Sequence, residues 1–87
     1  MTEPRYPIGT AASMVGVSVG MLRQWETELL IAPVRTESGR RLYSEADIAR
    51  LRQIDRLRRF DGLNTAAIRK ELGSANTSDL EAVPVAP

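Results

Sequence analysis

Residues 19–28 combine an apolar face with a hydrogen-bonding face if they form a helix. Met21, Leu22 and Trp25 share the apolar side at about 100° per residue. The opposite side carries a glycine, a guanidinium, a carboxamide and a hydroxyl, which belong to Gly20, Arg23, Gln24 and Thr27. Such groups reach base edges and phosphates in a DNA major groove, and glycine allows close approach. A face that is simply solvated is the alternative, because every amphipathic helix has one.

Two more residues belong to this candidate surface. Ser18 precedes the helix and is expected to cap it. Trp25 has the phase of a core residue, so packing is its expected role, although its indole N–H could reach a phosphate from the helix edge. We include both among the predicted DNA-contacting residues.

A second group of candidate residues lies in residues 34–43. Residues 34–36 and 42–43 favour strands, and the polar residues 37–40 between them contain the glycine of a hairpin tip. Arginines at an exposed tip suit contacts with phosphates or with a minor groove. The predicted contacts in this hairpin are Arg35, Arg40, Arg41 and Tyr43.

Composition excludes several classes of function. The 87 residues contain neither cysteine nor histidine, so the commonest metal ligands and the commonest general base are missing. We therefore expect no enzyme activity, no metal and no cofactor. No segment has the apolar length of a membrane span and the first residues lack a signal-peptide core, which predicts a cytoplasmic, nucleoid-associated protein.

The charge distribution favours a polyanionic partner. Net charge is only +1, but residues 5–71 contain all twelve basic residues and eight acidic ones, a net charge of +4. Eleven of the twelve basic residues are arginines, the residue that binds phosphate and guanine through two parallel hydrogen bonds. GC-rich codon usage would give the same bias.

Local signals predict the order helix, helix, hairpin, helix, helix. After an extended start, the predicted helices cover residues 9–15, 19–28, 45–61 and 65–72, with serine or asparagine caps before the last three. We predict a mainly α winged helix-turn-helix, with four helices and a two-stranded β-hairpin wing. Residues 1–73 form the predicted DNA-binding domain. Residues 74–87 lack an apolar pattern and contain two prolines, which predicts a disordered tail.

The third predicted helix carries a basic stripe of its own. Arg52, Arg56 and Arg59 recur at helical spacing, with Asp55 near enough to pair with two of them. A solvated face, a phosphate-binding flank and a dimer contact are all compatible with this pattern.

The whole stretch from residue 6 to residue 72 resembles the DNA-binding domain of the MerR family. The resemblance is carried by VGVSVGMLRQWE, residues 15–26, and by GRRLYSEADIARL, residues 39–51. It implies a bacterial transcription regulator that binds promoter DNA as a dimer, with the second helix in a major groove and the wing on the backbone. Arg23 and Arg41 match the phosphate-binding arginines of the family, and Tyr43 matches its wing tyrosine. The segment DGLNTAAI, residues 61–68, is similar to the heat-shock repressor branch.

Three departures from the family pattern affect what the resemblance implies. Leu29 stands where a glycine usually ends the second helix, so we expect that turn to be built in another way. Gln24 and Trp25 stand where members usually have a pair of tyrosines. At the second of these positions tryptophan removes a phenolic hydroxyl, which argues against a direct DNA contact by Trp25. No long dimerisation helix and no effector segment are evident in the sequence. We therefore expect a homodimer formed through another surface, a side-by-side oligomer on DNA, or a protein partner that supplies the signal.

Two other functions fit the same predicted fold. The first is an architectural or excisionase-like protein that bends DNA, for which a footprint would show an extended array. The second is a protein-interaction module that has lost DNA binding, for which affinity for DNA would be absent even at low salt.

Overall fold

The computed structural model describes residues 3–73, which form four helices and one small sheet. The helices are α1 (Ile8–Val15), α2 (Val19–Thr27), α3 (Glu45–Arg59) and α4 (Thr65–Leu72). The strands are β1 (Tyr6–Pro7), β2 (Val34–Arg35) and β3 (Arg41–Tyr43). The predicted winged helix-turn-helix is confirmed. The tail predicted for residues 74–87 lies outside the described residues.

Side-chain caps set the start of three helices, as the sequence predicted. The Ser18 hydroxyl accepts a hydrogen bond from the Met21 backbone N–H, and the Asn64 side chain accepts one from the Ala67 backbone N–H. Ser44 and Asp47 form a reciprocal capping box at the start of α3. Helix α3 ends at Arg59, two residues before the predicted end.

The wing is part of a three-stranded antiparallel sheet with the order β1-β3-β2. Strand β1 was expected only to be extended, but it pairs with β3 so that Tyr6 lies opposite Tyr43. Its two residues are too few for an alternating pattern, and Pro7 is acceptable because β1 lies at the sheet edge. Strands of two or three residues have little stability alone, so this third strand anchors the hairpin to the start of α1.

One core joins all four helices and the wing. Leu22 and Trp25 are buried, which confirms the predicted apolar face of α2. On α3 the apolar residues recur every three positions, so the apolar stripe winds around the helix and leaves the core near its end, where Phe60 is 76% exposed. The buried core consists of Ala11, Ala12, Leu22, Trp25, Leu30, Ile31, Tyr43, Ile48, Leu51, Ile54 and Ile68.

The turn after α2 differs from the expectation. We expected a construction other than the left-handed turn that glycine makes, and this expectation is wrong. Leu29 itself adopts the left-handed conformation with φ 64°. The Leu30 backbone N–H then donates to the Trp25 carbonyl at 2.9 Å, and Leu30 is fully buried. Burial of the residues that follow thus holds Leu29 in a conformation that a residue with a Cβ atom disfavours.

Several arginines have structural roles. Arg50 lies between α4 and the turn after α2, where it donates to the Leu30 carbonyl at 2.6 Å and also to the carbonyls of Leu72 and Gly73. Arg69 donates to the Glu28 carbonyl at 2.8 Å. Some of the arginines therefore donate hydrogen bonds to the free carbonyls at helix ends and are not available for an external ligand.

Candidate nucleic-acid interface

The predicted polar face of α2 lies on the surface. Gly20, Arg23, Gln24 and Thr27 are all exposed. The Gln24 amide donates to the Glu28 carboxylate at 3.2 Å, and the Thr27 hydroxyl donates to the Arg23 carbonyl at 3.1 Å. Both contacts stay within α2 and its C-cap residue, so the structure leaves this face open to an external partner.

A cleft of about 460 Å³ lies between this helix and the wing. Its lining comprises residues 7–10 at the start of α1, Arg23 on α2, and residues 39–41 at the wing tip. Within residues 3–73, neither the Arg23 nor the Arg40 guanidinium forms an ion pair. Pro7 gives α1 no side-chain cap, so the N–H groups of its first turn have no capping side chain at Pro7. Free guanidinium donors beside an uncapped helix start suit an anion.

The wing is connected to α2 through Glu26. Its carboxylate receives the Arg41 Nε–H at 2.5 Å on one oxygen and the Arg35 Nη2–H at 3.0 Å on the other. Arg35 also donates through Nη1 to the Gly39 carbonyl at 3.3 Å. Gly39 has φ 87°, which the tight wing tip requires. Two of the three predicted wing arginines, Arg35 and Arg41, thus share one acidic partner on α2.

This pairing controls the ionisation of Glu26. Burial disfavours the charged carboxylate, but the hydrogen bonds from Arg41 and Arg35 outweigh it and lower the pKa of Glu26. Its side chain is 21% exposed, as is that of Arg41. The pair is therefore charged and shielded from much of the solvent at neutral pH.

Two predicted contact residues lie in the core instead. Trp25 is 4% exposed and Tyr43 is 0% exposed, so neither side chain has the surface needed to contact DNA directly. The Arg58 guanidinium lies 5.8 Å from the Trp25 ring centroid, on the core side of α2. The Tyr43 hydroxyl has no hydrogen-bond partner among residues 3–73. Burial together with the nearby Glu26 charge raises the pKa of Tyr43 to about 12.

The remaining predicted site residues divide by location. Ser18 is exposed at the start of α2, where its hydroxyl is used by the cap. Arg52 on α3 donates to the Met14 carbonyl at 3.4 Å, whereas Arg59 pairs with Asp55 at 3.3 Å. The α3 stripe therefore forms contacts within the domain at two of its three positions. Sequence reasoning missed Glu26 as a site residue, although Glu26 closes the segment VGVSVGMLRQWE that carries the family resemblance.

The short helix pair, the exposed polar face of the second helix and the basic wing define a winged helix-turn-helix domain. The family model described as MerR HTH family regulatory protein matches residues 6–74. The chain belongs to the MerR family. This places it among regulatory proteins, in agreement with the prediction that it is not an enzyme.

Curated relatives support the same family. The chain is 39% identical over 67 residues to HspR of Streptomyces coelicolor, which is named as a heat shock protein; the match covers 77% of this chain and 44% of HspR. It is 42% identical over 65 residues to the transcriptional regulator TnrA of Bacillus subtilis, covering 75% of this chain and 58% of TnrA. HspR is thus among the relatives, but TnrA has similar identity, so the domain alone does not separate the branches.

Solved structures agree on the fold. HiNmlR, a MerR family regulator lacking the sensor domain, is bound to promoter DNA in its crystal structure and superposes with a TM-score of 0.71 at 26% identity. That alignment covers 86% of this chain and 57% of HiNmlR. A MerR family regulator from Bacillus cereus gives a TM-score of 0.72 at 27% identity, covering 88% of this chain and 60% of the other. The chain spans about half the length of the relatives HspR and TnrA.

No helix among residues 3–73 has both the length and the apolar character needed to cross a membrane. The same residues contain no cluster of three or more acidic side chains arranged to hold a metal ion.

Proposed function

We propose that this chain is a sequence-specific DNA-binding transcription regulator that places α2 in the major groove and the wing on the sugar–phosphate backbone. The observation that carries the proposal is the cleft between α2 and the wing, where Arg23 and Arg40 have no acidic partner within the described domain. HiNmlR, which has the same fold, is bound to promoter DNA.

The cleft provides the anchoring part of this mechanism. A phosphate there would meet Arg23 from the helix and Arg40 and Arg41 from the wing, beside the first turn of α1. Charge-assisted hydrogen bonds of this kind fix the position of a protein on the duplex without reading its sequence. Anchoring on two sides of one cleft sets the depth at which α2 enters the groove.

The exposed face of α2 provides the reading part. Gln24 can exchange its contact with Glu28 for the two hydrogen bonds that a glutamine makes with the N6 and N7 atoms of adenine. Thr27 lies one turn further along the same face, and Gly20 leaves room for the groove wall near the start of the helix. Sequence preference is therefore assigned to Gln24 first.

The proposal extends to assembly and location. We expect a homodimer or a side-by-side oligomer on DNA, because one helix of nine residues reads only a short half-site. The exposed Phe60 at the end of α3 offers an apolar contact for a second copy or for a protein partner that supplies a signal. A regulator of this type acts in the cytoplasm, on the nucleoid.

The decisive test is selection of bound duplexes from random-sequence DNA, followed by a salt titration of the selected duplex. A regulator should select a pseudo-palindrome and lose affinity steeply as salt rises, by about one log–log unit for each phosphate contact. A protected array with strong bending would support an architectural role instead. Absence of binding to pooled genomic duplex at low salt would refute DNA binding and favour a protein-interaction module.

A further inference from the structure

We propose that Glu26 is a positioning residue for DNA binding, which acts by holding Arg35 and Arg41 of the wing in place beside α2, the helix proposed to read DNA and called the reading helix below. The inference rests on the proposed function, since it assigns a role within the same interface. Glu26 lies in the last turn of α2, and both of its oxygens are occupied by arginines of the wing.

The donors that Glu26 uses leave Arg41 suited to a phosphate. A guanidinium carries five N–H donors in a fixed planar fork. Arg41 gives Glu26 only its Nε–H, so its two terminal nitrogens have no partner within residues 3–73. Because Arg41 also lines the cleft with Arg23 and Arg40, the pair with Glu26 fixes a guanidinium whose terminal N–H groups are available there.

Arg35 is held at two points. Its Nη2–H donates to Glu26 at 3.0 Å, while its Nη1–H donates to the Gly39 carbonyl at 3.3 Å. One side chain therefore connects the reading helix to the tip of the hairpin. Strands as short as β2 and β3 provide little stiffness of their own, so this connection limits how far the wing can rotate relative to α2.

The negative charge of Glu26 allows its positioning role to be told apart from a purely electrostatic one. A carboxylate beside a DNA-binding cleft repels phosphate, and removal of such a charge ordinarily tightens binding. Glu26 would weaken DNA binding if it acted only through its own charge or if it competed with phosphate for the arginines. If Glu26 positions the wing, its removal should instead weaken DNA binding. Arginines without a fixed partner must then be ordered when the helix docks, and this ordering costs free energy.

The test compares Glu26→Gln with Glu37→Gln on a duplex that the wild-type protein has selected from random-sequence DNA. Both changes neutralise one carboxylate, but Glu37 is exposed in the wing loop and makes no ion pair within the described part of the chain. We expect Glu26→Gln to weaken binding by about tenfold or more, as the loss of charged hydrogen bonds does. We expect Glu37→Gln to bind as well as the wild type or somewhat more tightly.

Two further readouts separate positioning from folding. Glu26→Gln should lower the magnitude of the salt slope by about one phosphate contact. In an Arg41→Ala background, Glu26→Gln should cost much less than it does alone, because its effect passes largely through that arginine. Thermal unfolding is measured on the same samples. If Glu26→Gln is unfolded at the assay temperature, Glu26→Asp replaces it, since it keeps the charge but is one methylene too short to reach both arginines; it must also lose affinity.

The outcomes distinguish this inference from the proposed function. If the wild-type chain binds no duplex, the proposed function fails. If the wild-type chain binds but a folded Glu26→Gln protein binds equally well, the positioning role is refuted. Tighter binding by Glu26→Gln would also overturn it and would show that Glu26 competes with phosphate.

Discussion

The left-handed conformation of Leu29 leads to a sharp prediction about stability. Leu29 has φ 64° in the turn that ends α2, where a side chain with a Cβ atom is strained. Replacement by glycine removes this strain but also removes the contacts of a side chain that is 43% exposed. We therefore compare Leu29→Gly with Leu29→Ala, since both lose the leucine side chain and only alanine keeps the strain.

The magnitude follows from two opposing terms. A left-handed conformation costs a residue with a Cβ about 1–2 kcal/mol. Glycine loses more chain entropy than alanine on folding, by about 0.5–1 kcal/mol. The free energy of unfolding of Leu29→Gly should therefore exceed that of Leu29→Ala by about 1 kcal/mol. In a domain of this size that difference raises the melting temperature by about 4–8 °C.

The assay is thermal and urea unfolding followed by circular dichroism, with Ala49→Gly as the matched control. Ala49 is exposed in the middle of α3, where glycine should lower stability by about 1 kcal/mol relative to alanine. Glycine should therefore be more stable than alanine at position 29 and less stable than alanine at position 49. If Leu29→Gly is no more stable than Leu29→Ala, the turn after α2 does not have the left-handed geometry and the reasoning fails.

Further predictions concern the core, the reading face and pH. Tyr43→Phe removes a buried hydroxyl that has no hydrogen-bond partner in the described part of the chain. The change should raise the free energy of unfolding by up to about 1 kcal/mol and leave DNA affinity unchanged, and a loss of affinity would return Tyr43 to the contact surface. Arg23→Ala should weaken binding to all duplexes alike, whereas Gln24→Ala should change the preferred sequence in a repeated selection; uniform weakening by Gln24→Ala would contradict base reading. The pKa of Glu26 is lowered on folding, so its charge stabilises the domain above the ordinary pKa of 4.5 and ceases to do so as pH falls through the lower folded value. The difference in unfolding free energy between wild type and Glu26→Gln should therefore shrink in urea titrations below pH 4.5, and a constant difference would exclude the ion pair as its cause.

Local signals in the sequence were enough for most of the fold. Ser18, Ser44 and Asn64 are side-chain caps within three residues of the N–H groups that they satisfy, so the helix starts could be predicted from neighbouring residues. Strand β1 gave no such signal, because its pairing with β3 joins residues far apart in the chain. The conformation of Leu29 also depends on distant packing, which buries the residues after it.

The sequence predicted which exposed residues belong to the candidate site, but not the ion pairs that connect them. The spacing on α2 placed Arg23 and Gln24 on the outer face, and both are exposed. Sequence gave no indication that Glu26 would meet Arg35 and Arg41, which lie nine and fifteen residues further along the chain. Tyr43 matched a family position, but only the folded structure shows that its side chain, at the end of β3, is enclosed in the core.

The position of Arg50 has a mechanical consequence for the domain. One guanidinium holds carbonyls at the end of α4 and the carbonyl of Leu30, just after the reading helix. A pull on the chain at Gly73 should therefore act on the end of α2 through Arg50 and also through Arg69, which donates to the Glu28 carbonyl. The C-terminal end of α4 and the helix proposed to read DNA are therefore mechanically coupled, with Arg50 as one of the connecting side chains.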